Sequence, residues 1–188
     1  MSRDLAIDLG SANTIVLARG QGIVLTQPSV VALNERTGEV VAMGDDAARA
    51  GGSGGDPVVT YQPLRRGAVS DFALTERLLH LVLRRIGASR VVKPRALVSI
   101  PSSVTVVERR AVEEATLHAG VRHVFLIEKP IAAAIGAGLP IDEPTGNCVV
   151  DVGGGTTEVA VISMGGIVSS RMMPVGGFDF DEAIQRYL

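Results

Sequence analysis

Short, mostly apolar runs occupy residues 5–9 and 14–18, on either side of a glycine turn at Gly10-Ser11. Apolar runs of about five residues bounded by turn residues predict two strands joined by a tight turn. β-Branched runs at 23–25, 29–33 and 40–43 extend the series, and the opening third reads as a meander. A helical period then sets in. Leu74, Leu78, Leu81 and Val82 recur at helical spacing between Asp71, a good N-cap, and Gly87, a stop, which predicts a helix of about four turns. Residues 95–100 read as a buried strand. Thr105-Val106-Val107-Glu108 is a capping box opening a second helix, with Val107, Ala111, Ala115 and Ala119 along one face. A strand at 121–127, a short helix at 131–137 entered through Pro130, strands at 147–151, 157–163 and 167–174, and a helix from about Asp179 follow. This rhythm predicts an α/β fold with helices layered on a mixed or parallel sheet.

Composition narrows the picture. A chain of 188 residues can bury one sizeable core, and 46% hydrophobic against 20% charged residues argues against disorder. The net charge of -2, with four Phe, two Tyr and no Trp, supplies neither the basic field nor the stacking surfaces that nucleic acid requires, so no nucleic-acid partner is expected. Cys148 stands alone, which excludes an intramolecular disulfide, and no CxxC or HExxH spacing suggests zinc. Asp4 and Asp8 interrupt the place where a signal peptide would be apolar, and no uncharged run approaches the length of a membrane span. A cytoplasmic protein is expected, with any membrane contact peripheral. Residues 51–57, Gly-Gly-Ser-Gly-Gly-Asp-Pro, read as a mobile linker. The last helix runs off the end of the chain with neither cap nor stop, as a truncated chain would.

The most informative motif is an internal echo. Asp8-Leu9-Gly10-Ser11-Ala12-Asn13-Thr14 and Asp151-Val152-Gly153-Gly154-Gly155-Thr156-Thr157 share one plan: a strand ending near an Asp, a glycine turn, hydroxyl residues and a second strand. Glycines let backbone N–H groups approach phosphate oxygens, hydroxyls add donors, and an Asp beside each turn can hold Mg²⁺ through its waters. A single such loop reads more readily as an ordinary hairpin turn, whose Asp and Gly only shape the turn. Two copies favour phosphate. Neither fits the GxxxxGK[ST] or GxGxxG pattern.

With these motifs the chain resembles the actin-like ATPases, most closely the MreB/Mbl family of bacterial cell-shape filament proteins. The resemblance also covers Gly20-Gln21-Gly22-Ile23-Val24-Leu25, Gln27-Pro28-Ser29-Val30-Val31, Val107-Glu108-Arg109-Arg110-Ala111, Ile135-Gly136-Ala137-Gly138 and residues 149–160. It implies an actin-like (ribonuclease H-like) mixed sheet flanked by helices, comprising the first lobe and the beginning of the second. Residues 1–31 and 67–144 would form the inner subdomain of the first lobe, 32–66 its small outer subdomain and 145–188 the start of the second lobe. It further implies ATP or ADP held by Gly10, Ser11, Ala12, Asn13 and Thr14 on one side and Gly153, Gly154, Gly155, Thr156 and Thr157 on the other. Mg²⁺ would lie between Asp8 and Asp151. The implied partners are other copies, a full-length MreB/Mbl paralogue and the wall-synthesis machinery at the inner face of the membrane.

Departures from that family bear on activity. The family carries a Glu before the proline of Leu126-Ile127-Glu128-Lys129-Pro130, where it orients the attacking water; this chain has Lys129, and an ammonium accepts no proton. Thr156 is the other candidate catalytic side chain. Hydrolysis is therefore expected to be weak or absent, unless Glu128 substitutes or Lys129 is merely an exposed charge at a helix start. Full-length members continue beyond this chain into the adenine pocket, so nucleotide binding is expected to be weak. Val91-Val92, with Arg90 and Arg95 nearby, fits either the family's membrane loop or a lead into the next strand. A small-molecule kinase of the same superfold and an inactive remnant remain the alternatives to a filament subunit.

Overall fold

The computed structural model describes residues 4–50, 57–89 and 91–188. The expected linker lies outside the described residues apart from Pro57, as does Arg90. In chain order the strands are β1 (Asp4–Leu9), β2 (Asn13–Ala18), β3 (Gly22–Pro28), β4 (Val31–Asn34) and β5 (Val40–Met43). Next come α1 (Asp45–Ala50), β6 (Val58–Tyr61), β7 (Leu64–Arg65), β8 (Ala68–Val69) and α2 (Phe72–Arg85). Then follow β9 (Arg95–Ile100), α3 (Val106–His118), β10 (His123–Glu128) and α4 (Lys129–Gly136). The chain closes with β11 (Asn147–Val152), β12 (Thr157–Ser163), β13 (Gly166–Met173) and α5 (Gly177–Tyr187).

Leu5, Ile7 and Leu9 of β1 bury one face of a five-stranded mixed sheet ordered β10-β9-β1-β2-β3. β1, β9 and β10 run parallel, while β2 and β3 return antiparallel through tight turns. Parallel direction has a consequence for function: the C-terminal ends of β1, β9 and β10 gather on one edge of the sheet, the usual place for ligands in such layers. β4 pairs with β5 and β6 in a separate small sheet, so the meander expected from the sequence ends at β3. A third sheet, β11-β12-β13, is wholly antiparallel.

The helices cover the buried face. Asp71 caps α2 by accepting from the Leu74 N–H, and Leu78, Leu79, Val82 and Leu83 enter the core. At its far end Gly87 takes φ +67, and the N–H groups of Gly87 and Ala88 return to the Arg84 and Leu83 carbonyls, a Schellman stop. The capping box of α3 forms as expected. Of its expected face Ala115 and Ala119 are buried, but Val107 is 78% exposed and Val112 and Thr116 turn inward in its place. Steps of four residues advance a straight helix by more than one turn, so an i, i+4 series drifts off any single face. The region between β5 and α2, where no period stands out, folds as α1, β6 and the β7–β8 hairpin. Arg66 and Gly67 form the hairpin turn, both with positive φ as a type I′ turn requires.

Candidate phosphate-binding cleft

Each of the two matching loops closes with the same hydrogen bond. The Gly10 N–H donates to the Asn13 carbonyl at 3.0 Å, and the Gly153 N–H donates to the Thr156 carbonyl at 2.8 Å. A Cβ on Gly10 would stand 2.7 Å from the Asn13 oxygen, so the first turn excludes a side chain there. The loops also meet. A Cβ on Gly154 would lie 2.6 Å from Cβ of Ala12, and one on Gly155 would lie 3.4 Å from Oγ of Ser11. Among the described residues, the N–H groups of Ser11, Ala12, Gly154 and Gly155 make no hydrogen bond within the protein, which leaves them to an anion or water.

Between the loops lies a cavity of about 160 Å³, lined by Asp8, Gly10, Ser11, Ala12, Asn13, Ile15, Gly67, Lys129, Asp151 and residues 153–156. Strand periodicity explains the membership. Asp8 stands on the face opposite Ile7 and Leu9, and its cross-strand partner Ile15 shares that face. The volume is below that of a typical small-molecule site, so the cavity suits a phosphate chain and not a whole nucleotide.

The lining contains every candidate from the sequence except two. Thr14 is buried, with its hydroxyl 2.8 Å from that of Ser29, and Thr157 donates its hydroxyl to the Val175 carbonyl. Each is the first residue after its turn to pair with the strand before it. Gly67 and Ile15 are additional members. The Gly67 N–H donates to Ser11 Oγ at 3.0 Å, holding the β7–β8 turn over the first loop. The Arg-Gly turn pair was its only sequence signal, and nothing local tied it to residue 11. Arg65 and Arg66 line an adjoining pocket with Ser11, Gly155 and Phe178, which sets two cations beside the cleft.

Lys129, the first residue of α4, points into the cavity. Its side chain is 17% exposed and its Nζ lies 3.1 Å from Asp8 Oδ1, so it is not a solvated charge at a helix start. Ser99, in register with Asp8 on the neighbouring strand, donates its hydroxyl to the same carboxylate oxygen. Glu128 faces elsewhere. It pairs with Arg109 at 3.2 Å and does not line the cavity, so it does not fill the position held by Lys129.

The second loop is held from behind by α5. The N–H groups of Gly177 and Phe178 donate to the Gly153 and Gly154 carbonyls at 2.9 and 2.8 Å, and Asp179 caps the helix start by accepting from the Gly176 N–H. As for a metal, the described residues contain no group of three or more His, Cys, Asp or Glu side chains that would enclose one. Asp8 and Asp151 on one cavity nevertheless fit a hydrated Mg²⁺, which takes one or two carboxylates together with substrate phosphates. No helix among the described residues is long and apolar enough to cross a membrane.

A mixed sheet with two hairpin turns of one plan closing on a shared polar cavity defines a protein of the actin-like fold. A family model described as MreB/Mbl protein matches residues 2–188, and the chain belongs to that family. It is 49% identical to the cell shape-determining protein MreB of Escherichia coli (strain K12) and 45% identical to the cell shape-determining protein Mbl of Bacillus subtilis (strain 168). All of this chain and 56% of either relative are covered, so the chain spans about half the length of the curated relatives it matches. Among solved structures, MreB5 of Spiroplasma citri bound to ADP superimposes with a TM-score of 0.88 at 35% identity, covering 98% of this chain and 55% of that one. The same protein bound to AMPPNP gives 0.89, with 98% and 56% covered. The MamK double helical filament, at 20% identity and a TM-score of 0.79, shares the fold, with 97% and 58% covered.

Proposed function

We propose that this chain binds the phosphates of ATP or ADP between its two glycine loops and serves as a subunit or co-assembling accessory of MreB/Mbl-type cytoskeletal filaments. In that role it would support cell shape and wall synthesis from the cytoplasm or the inner face of the membrane. The observation that carries the reading is the juxtaposition of the unpaired N–H groups of Ser11, Ala12, Gly154 and Gly155 around a cavity flanked by Asp8 and Asp151. The ADP- and AMPPNP-bound forms of the MreB5 relative support the ligand class.

On this reading the five-stranded sheet with α2 and α3 is the inner part of the first lobe, β4–β6 its outer part, and β11–β13 with α5 the opening of the second. Mg²⁺ would supply charge neutralisation of the phosphates from a place between Asp8 and Asp151. Lys129 cannot accept a proton from water, so hydrolysis is slow or absent. Self-association draws on the exposed Val150, Val152, Val168, Phe178, Phe180 and Ile184 of β11, β13 and α5.

Equilibrium binding of Mg²⁺-ATP and Mg²⁺-ADP to the purified chain, with sedimentation of the same samples, tests the proposal. Submillimolar binding that Asp151→Ala weakens, together with ATP-dependent pelleting, is the expected result. Absence of both would overturn it.

A further inference from the structure

The cation already inside the cleft carries a consequence for metal use. Mg²⁺ assists polyphosphate binding because it offsets phosphate charge against the carboxylates that flank the site. Here the titratable side chains of the cavity are Asp8, Asp151 and Lys129, two carboxylates with one ammonium. A glutamate at position 129 would make three carboxylates with no cation. Lysine in place of glutamate therefore changes the field at the phosphate position by two charges, with the Lys129 side chain mostly covered and that of Asp8 partly open to solvent.

Geometry adds a second argument. The Asp8 carboxylate on which a hydrated metal would lean is engaged at one oxygen by both Lys129 Nζ and the Ser99 hydroxyl. An ammonium has three N–H donors, and contact with Asp8 uses one, so the others can serve a phosphate oxygen without breaking the ion pair. Lys129 also opens α4 directly from the end of β10, which fixes its Cα beside the edge where β1 and β9 end. The charge is thus held in place by the fold and does not have to be recruited from solution.

We infer that Lys129 is a built-in counter-cation for a nucleotide di- or triphosphate, so that the cleft binds its ligand with little dependence on divalent metal. The inference rests on the nucleotide-binding reading above and adds a specificity to it: metal-free ATP is a competent ligand of this chain, whereas a cleft with Glu at position 129 needs the metal complex.

The test is calorimetric titration of the purified chain with ATP in EDTA and in excess Mg²⁺, alongside Lys129→Glu and Lys129→Met. Wild-type protein is expected to bind in EDTA within about threefold of its affinity in Mg²⁺, a gap well short of one decade. Lys129→Glu is expected to lose about 10- to 100-fold in EDTA, the worth of a charge-assisted contact, and to recover most of it when Mg²⁺ is added. Lys129→Met should fall between them. A wild-type affinity that falls about tenfold or more when Mg²⁺ is replaced by EDTA would overturn the inference and leave the nucleotide reading intact, a result that is read from the wild-type protein alone if a variant fails to fold. Failure of ATP to bind under either condition would overturn both.

Discussion

Glu158 of β12 accepts hydrogen bonds from both the backbone N–H and the hydroxyl of Ser102, and so ties the third sheet to the loop between β9 and α3. The carboxylate-bearing residue is 3% exposed, and the Ser102 hydroxyl lies 3.0 Å from that of Ser170 on β13. The tie therefore joins the third sheet to the loop that follows β9 of the first. Glu158→Ala would strand the Ser102 N–H and is expected to cost about 1–3 kcal/mol. Glu158→Gln keeps an acceptor and should cost less than half as much. Urea denaturation of the three proteins checks this, and equal losses for Ala and Gln would refute it.

The contact between the loops makes a second prediction. A methyl group at residue 154 would meet Cβ of Ala12 at 2.6 Å and the Phe178 ring at 3.1 Å. Gly154→Ala is expected to destabilise by about 1–3 kcal/mol, as overpacking does. Ala12→Gly in the same chain should restore part of that loss, because it removes the closer obstacle. Thermal melts of both single variants and the double variant measure the coupling; simple additivity would show that the loops do not touch in solution.

The capping box of α3 gives a pH dependence. The Thr105 N–H and hydroxyl both donate to Glu108, which lowers the pKa of its carboxyl below the ordinary glutamate value. A carboxylate with a depressed folded-state pKa contributes stability that is complete above its unfolded value, about 4.3, and is lost as pH falls through the folded value. The stability gap between wild type and Glu108→Gln should thus be constant from pH 7 to about 5 and shrink below about 4. Chemical denaturation across that range would expose a flat gap, which is the contrary result.

On α3 the two valines five residues apart should behave oppositely. Val112 is 7% exposed and Val107 is 78% exposed. Val112→Ala is expected to cost about 2 kcal/mol and Val107→Ala less than about 0.5 kcal/mol, read from denaturation midpoints.

Period and punctuation located most strands and helices. Residues 95–100 and 157–163 coincide with β9 and β12, and Asp71, Thr105 and Pro130 mark helix starts through chemistry that acts within one turn. On α3 the expected face holds at Ala115 and Ala119 and fails at Val107, because an alanine-rich pattern barely distinguishes the helix's sides. Short elements between Gly44 and Ser70 left no period long enough to detect. For the cleft, the echo of two loops was visible in the residues themselves, since glycine turns leave local marks. Which hydroxyls face inward was not: Thr14 and Thr157 find partners at Ser29 and Val175, set by strand pairing and by chain far away. The meeting of Lys129 with Asp8 likewise depends on three parallel strands ending together, a fact of topology.

The helix behind the second loop has a mechanical meaning. α5 buries none of its side chains, and its first turn is bonded to the Gly153 and Gly154 carbonyls. Those bonds couple its direction to the shape of the loop. Its 11 residues reach about 16 Å, so a tilt of about 10° at the glycines would swing the far end through about 3 Å. A sub-ångström adjustment around a phosphate would be amplified at Tyr187, on the outside of the molecule, where a neighbour could feel it.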